Sequence, residues 1–179
     1  AGQAATGGQA IIGVDISGND IDGGDGLTGI FVGLESYDGA TAVMTGVIED
    51  NTIAADNLYV GITLSNEVFG TGTASTATMT LFVYDNDIDS GGQGTGLFLY
   101  NSSLGHVDNL ASQSIYGDGN TLQNLDVGIQ ITIDEFAGTS VQNITLLDTV
   151  CAGIDLDLDI DQNGGVLNLY LSGDTCDFP

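Results

Sequence analysis

The sequence predicts an all-β, single-domain solenoid of about five to six coils of 26–35 residues, each coil made of three short strands. Three observations carry this prediction. A phrase in which an aliphatic residue, a small polar step, Asn or Asp, and a second aliphatic follow one another returns six times, centred on Asn19, Asn51, Asn86, Asn120, Asp148 and Asp174. The intervals between these residues are 32, 35, 34, 28 and 26, and self-similarity at such a period marks a stack of repeats. A second phrase keeps the same beat: Gly29, Gly61, Gly96, Gly128 and Gly153 each precede an alternating run. The third observation is the period of two itself, plainest where Ile154, Leu156, Leu158 and Ile160 alternate with Asp155, Asp157, Asp159 and Asp161. A strand places those aliphatics on one face and all four carboxylates on the other, whereas a helix would scatter them.

Coils stacked about 4.8 Å apart as parallel strands put equivalent residues over one another. The six Asn and Asp residues at the bends, Asn19 through Asp174, are therefore expected to form a ladder of side-chain hydrogen bonds up the column, a structural role rather than a catalytic one. The apolar content of 42% is regularly spaced, so the 28 glycines read as punctuation of an ordered chain.

Taken in order, Ala1 to Ala10 is small and polar without amphipathic period, an N-terminal tail or a strand that crosses a junction, and the solenoid is expected over residues 11–179. Ile11 to Ile16 leads into the first bend. Asp20, Asp22 and Asp25 follow among glycines; oxygen ligands at alternate positions of a tight loop can hold a hard cation such as calcium. An ordinary polar turn is the simpler reading, since no downstream Glu stands at the spacing of a full calcium loop.

Aligning the Gly phrases gives one outward column of Phe31, Thr63, Phe98, Gln130 and Asp155, and a second of Gly33, Ser65, Tyr100, Thr132 and Asp157. Phe31, Phe98 and Tyr100 are candidates for contact with sugar rings or a protein neighbour, unless a loop covers them. Between Thr71 and Thr80, Thr recurs at alternate positions, a pattern that presents hydroxyls to ice. Ice binding requires such an array on successive coils; the array does not recur, so the segment reads as a long loop passing into an outward strand face. Asn101 and Asn143 head Asn-x-Ser/Thr triplets and are candidate N-glycosylation acceptors. His106 has no Ser or Cys partner and reads as a loop or turn residue.

Cys151 and Cys176 fall at nearly the same place on adjacent coils. Neighbours about 5 Å apart lie inside the disulfide window, so a bridge would staple the last coil to the one before it, worth about 3 kcal/mol. It implies an oxidising, extracellular compartment. A metal site built on these cysteines and His106 lacks further soft ligands.

The charge is one-sided: 25 acidic side chains, 21 of them Asp, and no Lys or Arg, for a formal net charge of −25. Neutralising phosphate requires cations, so nucleic-acid binding is excluded and attachment to anionic lipid disfavoured. There is no apolar run of membrane length and no basic leader-like start. Salt, a divalent cation or low pH is expected to relieve the self-repulsion.

The coil phrases resemble those of right-handed parallel β-helix repeat proteins, a family that includes polysaccharide lyases, polygalacturonases, tail-spike proteins and secreted surface adhesins. The resemblance runs from about Ile11 to Phe178 and implies a parallel β-helix; the handedness rests on it alone. The family's enzymatic branches rely on Arg or Lys, or on Asp backed by His and basic residues, and this chain has no Lys or Arg to fill those places. Asp148 and Asp174 are the best remaining pair for acid/base chemistry, and they are read as ladder members. The expectation is a non-catalytic extracellular structural protein with no cofactor beyond calcium or other cations on surface Asp. Its open solenoid ends would associate head to tail, copy on copy, into a filament or surface fibre. The alternative is a surface adhesin or carbohydrate-binding β-helix, in that case a piece of a longer passenger, using Phe31, Phe98 and Tyr100 to hold glycans.

Overall fold

Parallel strands that repeat every coil pair with the next coil rather than with a hairpin partner, and all three sheets are built that way. The structure, a computed structural model, describes residues 2–4 (backbone only), 7–23, 26, 28–55, 58–173 and 176. The first sheet stacks β1 (Gly2–Ala4), β4 (Thr28–Tyr37), β7 (Val60–Phe69), β10 (Thr95–Ser103), β13 (Val127–Glu135) and β16 (Leu156–Asn163) in that order. The second stacks β2 (Gln9–Ser17), β5 (Thr41–Glu49), β8 (Thr76–Tyr84), β11 (Leu110–Asp118), β14 (Thr139–Leu147) and β17 (Val166–Ser172). The third stacks the short strands β3 (Asp20–Gly23), β6 (Thr52–Ala55), β9 (Asp87–Asp89), β12 (Thr121–Gln123) and β15 (Val150–Ala152). The chain is thus a β-solenoid of about five turns with three strands per coil, and among the described residues every regular element is a strand. The segment read as a tail or a junction strand supplies β1, paired with β4, and the start of β2, which begins at Gln9 rather than Ile11.

The period of two builds the core. Ile30, Ile62, Leu97, Ile129 and Leu158 lie in one register column of the first sheet. They face Val14, Leu81, Ile115, Ile144 and Leu169 of the second sheet and Ile21, Ile53, Ile88 and Leu122 of the third across a narrow apolar interior. The repeated Gly phrase has a packing reason: a Cβ at Gly61 would stand 2.7 Å from the Gly96 carbonyl oxygen and 2.6 Å from Ile88 Cγ2. Only glycine lets the chain enter the first sheet so close to the third.

At the bends the amide ladder is continuous over four coils. Asn19 Nδ2 donates to Asn51 Oδ1 at 2.8 Å, Asn51 Nδ2 to Asn86 Oδ1 at 2.8 Å, and Asn86 Nδ2 to Asn120 Oδ1 at 3.0 Å. Each acceptor oxygen also takes the backbone N–H of the asparagine below, at 3.0–3.2 Å. The other amide hydrogen of Asn51, Asn86 and Asn120 reaches back to the carbonyls of Ile16, Ile48 and Val83. Asn51 therefore uses both donors and both acceptor positions while almost fully buried.

Asp148 is not the next rung. β12 and β15 pair Thr121 with Val150, which sets buried Thr149 above Asn120 and Asp148 above Gly119. Asp148 occupies the preceding, left-handed position, with φ 48°, in the column of Gly18, Asp50, Asp85 and Gly119, where φ runs from 50° to 67°. Asp is among the few non-glycine residues that tolerate that conformation, whereas an ionised carboxylate has no hydrogen to pass up an amide ladder. Asp174 lies outside the described residues.

Cys151 and Cys176 are bonded, with Cα atoms 4.8 Å apart and a sequence separation of 25. Cys151 continues the inward column of Ile53, Ile88 and Leu122, so the bridge closes the third sheet's side of the core. A disulfide persists in non-reducing surroundings, and among the described residues no helix is long and apolar enough to cross a membrane.

The ladder sets a position-dependent cost. Asn86→Ala strands the donors of Asn51 and the carbonyl of Ile48 inside the stack, and should lower the unfolding free energy by about 3 kcal/mol. Asn19→Ala, at the exposed start of the ladder, should cost about 1 kcal/mol or less; urea denaturation of the two variants measures the difference.

Candidate functional site

The outward face of the first sheet carries the aromatic residues. Register places Phe31 over Thr63, Phe98 and Gln130, and Gly33 over Ser65, Tyr100 and Thr132. In the last coil these columns continue with Asp159 and Asp161, not with Asp155 and Asp157. The alternating run can slide by four residues without turning any side chain to the other face, and the chain takes the frame in which Leu158 meets Ile129.

Phe31 is 56% exposed and its ring lies over Gly33, where a Cβ would meet Phe31 Cε1 at 2.8 Å. Thr63 and Ser65, though outward, are nearly buried between the larger neighbours. Phe98 and Tyr100 are half-buried, with ring centroids 6.3 Å apart. Tyr100 donates its hydroxyl hydrogen to Asp134 Oδ2 at 3.2 Å. Burial, and next to it the charges of Asp134 and Glu67, push the Tyr100 phenol above its ordinary value of 10.0, against an opposing pull from nearby Ser102.

Beside Phe98 the face opens into a cleft of about 580 Å³ whose walls include Tyr59, Gln93, Phe98, Asp126 and Gln130. Tyr59 is 70% exposed, and Asp126 Oδ2 accepts the Gly94 N–H at 3.1 Å. Two aromatic rings, two amides and a carboxylate converge on one space, the mixture of flat apolar surface and fixed polar groups that holds a small hydroxylic ligand. Sequence reading placed Phe98 here but missed Tyr59, which sits on the connection into β7, where neither repeated phrase gives an alignment.

The other candidates are dispersed. Asp20 and Asp22 are exposed on the outward side of β3, Asp25 lies outside the described residues, and among the described residues no cluster of three or more His, Cys, Asp or Glu is placed to hold a metal. His106 sits in the turn before β11, its Nδ1 accepting the Asp108 N–H at 3.1 Å.

Asn101 is corrected outright. It is fully buried in the core, accepts a hydrogen bond from Asn66 at 2.8 Å, and donates to the carbonyls of Ala111 and Val141, so no glycan fits on it in the folded chain. Asn143 is outward on β14 and half-buried, accepting from Asn168 at 2.9 Å.

The Thr-rich segment takes the course expected, a loop passing into an outward strand face, and is corrected only in its recurrence. Residues 71–75 form a loop, Thr76, Thr78 and Thr80 all point outward from β8, and register sets Thr76 over Thr41 and Thr80 between Thr45 and Ser114. Hydroxyls therefore do recur on successive coils, at two of the three positions in each neighbouring strand, with Val43 and Leu110 at the others. Comparison with protein-family models, curated proteins and solved structures returns no match.

The raised Tyr100 value has a pH consequence. The folded state holds the phenol proton more tightly than the unfolded chain does, so this contribution to stability is intact below pH 10.0 and is lost as pH rises through the folded value. Tyr100→Phe should flatten the alkaline decline in stability, measured by urea midpoints across that range beside tyrosinate absorbance.

Proposed function

We propose that the chain is a non-catalytic extracellular structural module whose two terminal coils are docking edges, one copy stacking head to tail on the next. The half-covered state of the end coils is the observation that carries this. Inward residues of interior strands are buried, while Ile12, Val14 and Ile16 of β2 and Leu167, Leu169 and Leu171 of β17 are only partly so. Both strands lie at the edges of the second sheet, paired on one side. An edge of this kind is completed by one more coil, from the same chain or from a second copy, and a head-to-tail contact that does not close propagates. The class of right-handed parallel β-helix repeat proteins, with its secreted surface members, is the family reading that accompanies this function. A net charge of −25 on each copy opposes association, so salt or divalent cations are part of it.

A second reading, a carbohydrate-binding solenoid, is favoured by the cleft between Tyr59 and Phe98. A neutral glycan suits it best, because the polyanionic surface repels acidic sugars.

Electron microscopy of the concentrated chain should reveal fibres with an axial repeat of about 25–30 Å, the height of five to six stacked strands, more of them as ionic strength rises. Leu169→Lys, which charges the last edge, should leave discrete particles. A wild-type chain that stays discrete at every salt and calcium concentration sinks the assembly reading. For the cleft, Tyr59→Ala should weaken binding of a neutral oligosaccharide about tenfold, the loss of one stacked ring, in calorimetric titration.

A further inference from the structure

The N-terminal half of the second sheet's outward face carries no acid in any coil, whereas its C-terminal half holds Asp15, Glu49 and Asp118. Toward the N-terminal half of β2, β5, β8, β11, β14 and β17, three register columns present Gln, Thr, Leu, Ile, Val, Ser, Gly and Asn, and no Asp or Glu. The other two sheets carry acids on their outward faces, among them Glu35, Glu67 and Asp159 on the first and Asp20 and Asp87 on the third. In a chain with 25 acidic residues such a neutral field stands out.

The field is also regular in two directions. Its rows are set by the coil spacing of about 4.8 Å and its columns by the i, i+2 step of about 6.7 Å. The middle of it is Thr41, Val43 and Thr45 on β5, Thr76, Thr78 and Thr80 on β8, and Leu110, Ser112 and Ser114 on β11, in register. Threonine and valine are stiff at χ1, so hydroxyls and methyls are held as an array before any partner arrives. Continuous ladders of the kind found at the bends favour stacks with little twist.

We propose that this face binds ice. A periodic, uncharged array fits a partner that is itself periodic in two directions and uncharged, which describes a crystal surface. A single polysaccharide or a protein partner needs no second period. Among crystals, a polysaccharide lattice offers flat sugar rings that call for aromatic platforms, and the three columns contain none; Phe82, Tyr116 and Tyr170 stand in the adjoining column. Ice offers oxygen atoms at a repeat within a few tenths of an ångström of the coil spacing of about 4.8 Å. Threonine hydroxyls supply hydrogen bonds to such a lattice while the methyls between them exclude liquid-like water. Carboxylates hold a hydration shell that does not match ice, which gives a physical reason for their absence from this field.

The test grows polycrystalline ice slowly in a dilute solution of the chain and measures the fraction of protein taken into the solid, beside the freezing hysteresis of single crystals. Wild-type chain should enter the ice severalfold more than an acidic protein of similar size. Thr45→Glu and Thr80→Tyr, which add a charge or a bulge at exposed and half-exposed outward positions, should both fall to the control level with unchanged circular dichroism. Thr132→Tyr, on the outward face of the first sheet, should behave as wild type. Exclusion of the wild-type chain from ice overturns the proposal, as does an equal loss in the Thr132→Tyr variant, or retention on crystalline cellulose or chitin without enrichment in ice. If one variant on the second sheet fails to fold, the other carries the comparison.

Discussion

Everything in this solenoid depends on one constraint, that the polar backbone trapped between coils at each bend finds partners in the coil above or below. A strand interior meets the constraint through its sheet. A bend does not, because the chain turns there and its amides lose the regular ladder. Asparagine solves the problem because its side chain carries two donors and a two-lone-pair acceptor, and Asn51 and Asn86 use them on both neighbours at once. The residue before each asparagine completes the turn by entering the left-handed region, as Gly or Asp. Once the bend is fixed in this way, the register of all three sheets is fixed with it.

The core carries the same logic inward. Asn66 and Asn101 form a buried amide pair between aliphatic columns, and Gln142 donates to Gln113, which reaches across to the carbonyls of Leu64 and Tyr100. Low dielectric strengthens such bonds and makes a slipped register costly. Pure aliphatic columns would tolerate a slide of one coil's strands along the next. The amides resist that slide, and they lie in the middle coils, away from the ends.

The fold was legible because its period is written in residue chemistry: Gly for close approach, Asn for the bend, alternating aliphatics for the faces. The lapses share one cause. At Asp148 and Thr149 two polar residues compete for one rung, and only the requirement for left-handed φ at the first of them separates the roles. The run from Ile154 to Asp161 is self-similar at every second residue, so its frame waits on which leucine meets Ile129. Asn101 looks like an acceptor triplet because sequence does not tell which face a polar residue takes in an alternating strand. The hydroxyl array escaped notice because it is spread over three strands and written as Thr in two coils and Ser in a third, with Val43 interrupting the first and Leu110 the third.

The charge poses a harder question, since in-register stacking is the arrangement that brings like residues together. Two carboxylates about 4.8 Å apart repel by roughly 3 kcal/mol at an effective dielectric of about 20, and this chain has no Lys or Arg to intervene. The columns resolve it by interleaving. Asp20 lies beside Thr52, which separates it from Asp87, and Thr121 follows; Asp22, Ala54, Asp89 and Gln123 repeat the alternation. Where an acid meets a neighbouring coil, a donor is often there to receive it: Gln123 on Asp87, Asn124 on Asp89, Tyr100 on Asp134 and Gln130 on Asp159. Among the paired strand residues only Glu35 and Glu67 stand acid over acid, and each accepts a hydroxyl from its own strand, Tyr37 and Ser65 respectively. A polyanion can therefore fold as an in-register stack when most of its acids skip coils; the exception at the bends is Asp50, consecutive with Asp85 in the left-handed column, a conformation Asp tolerates.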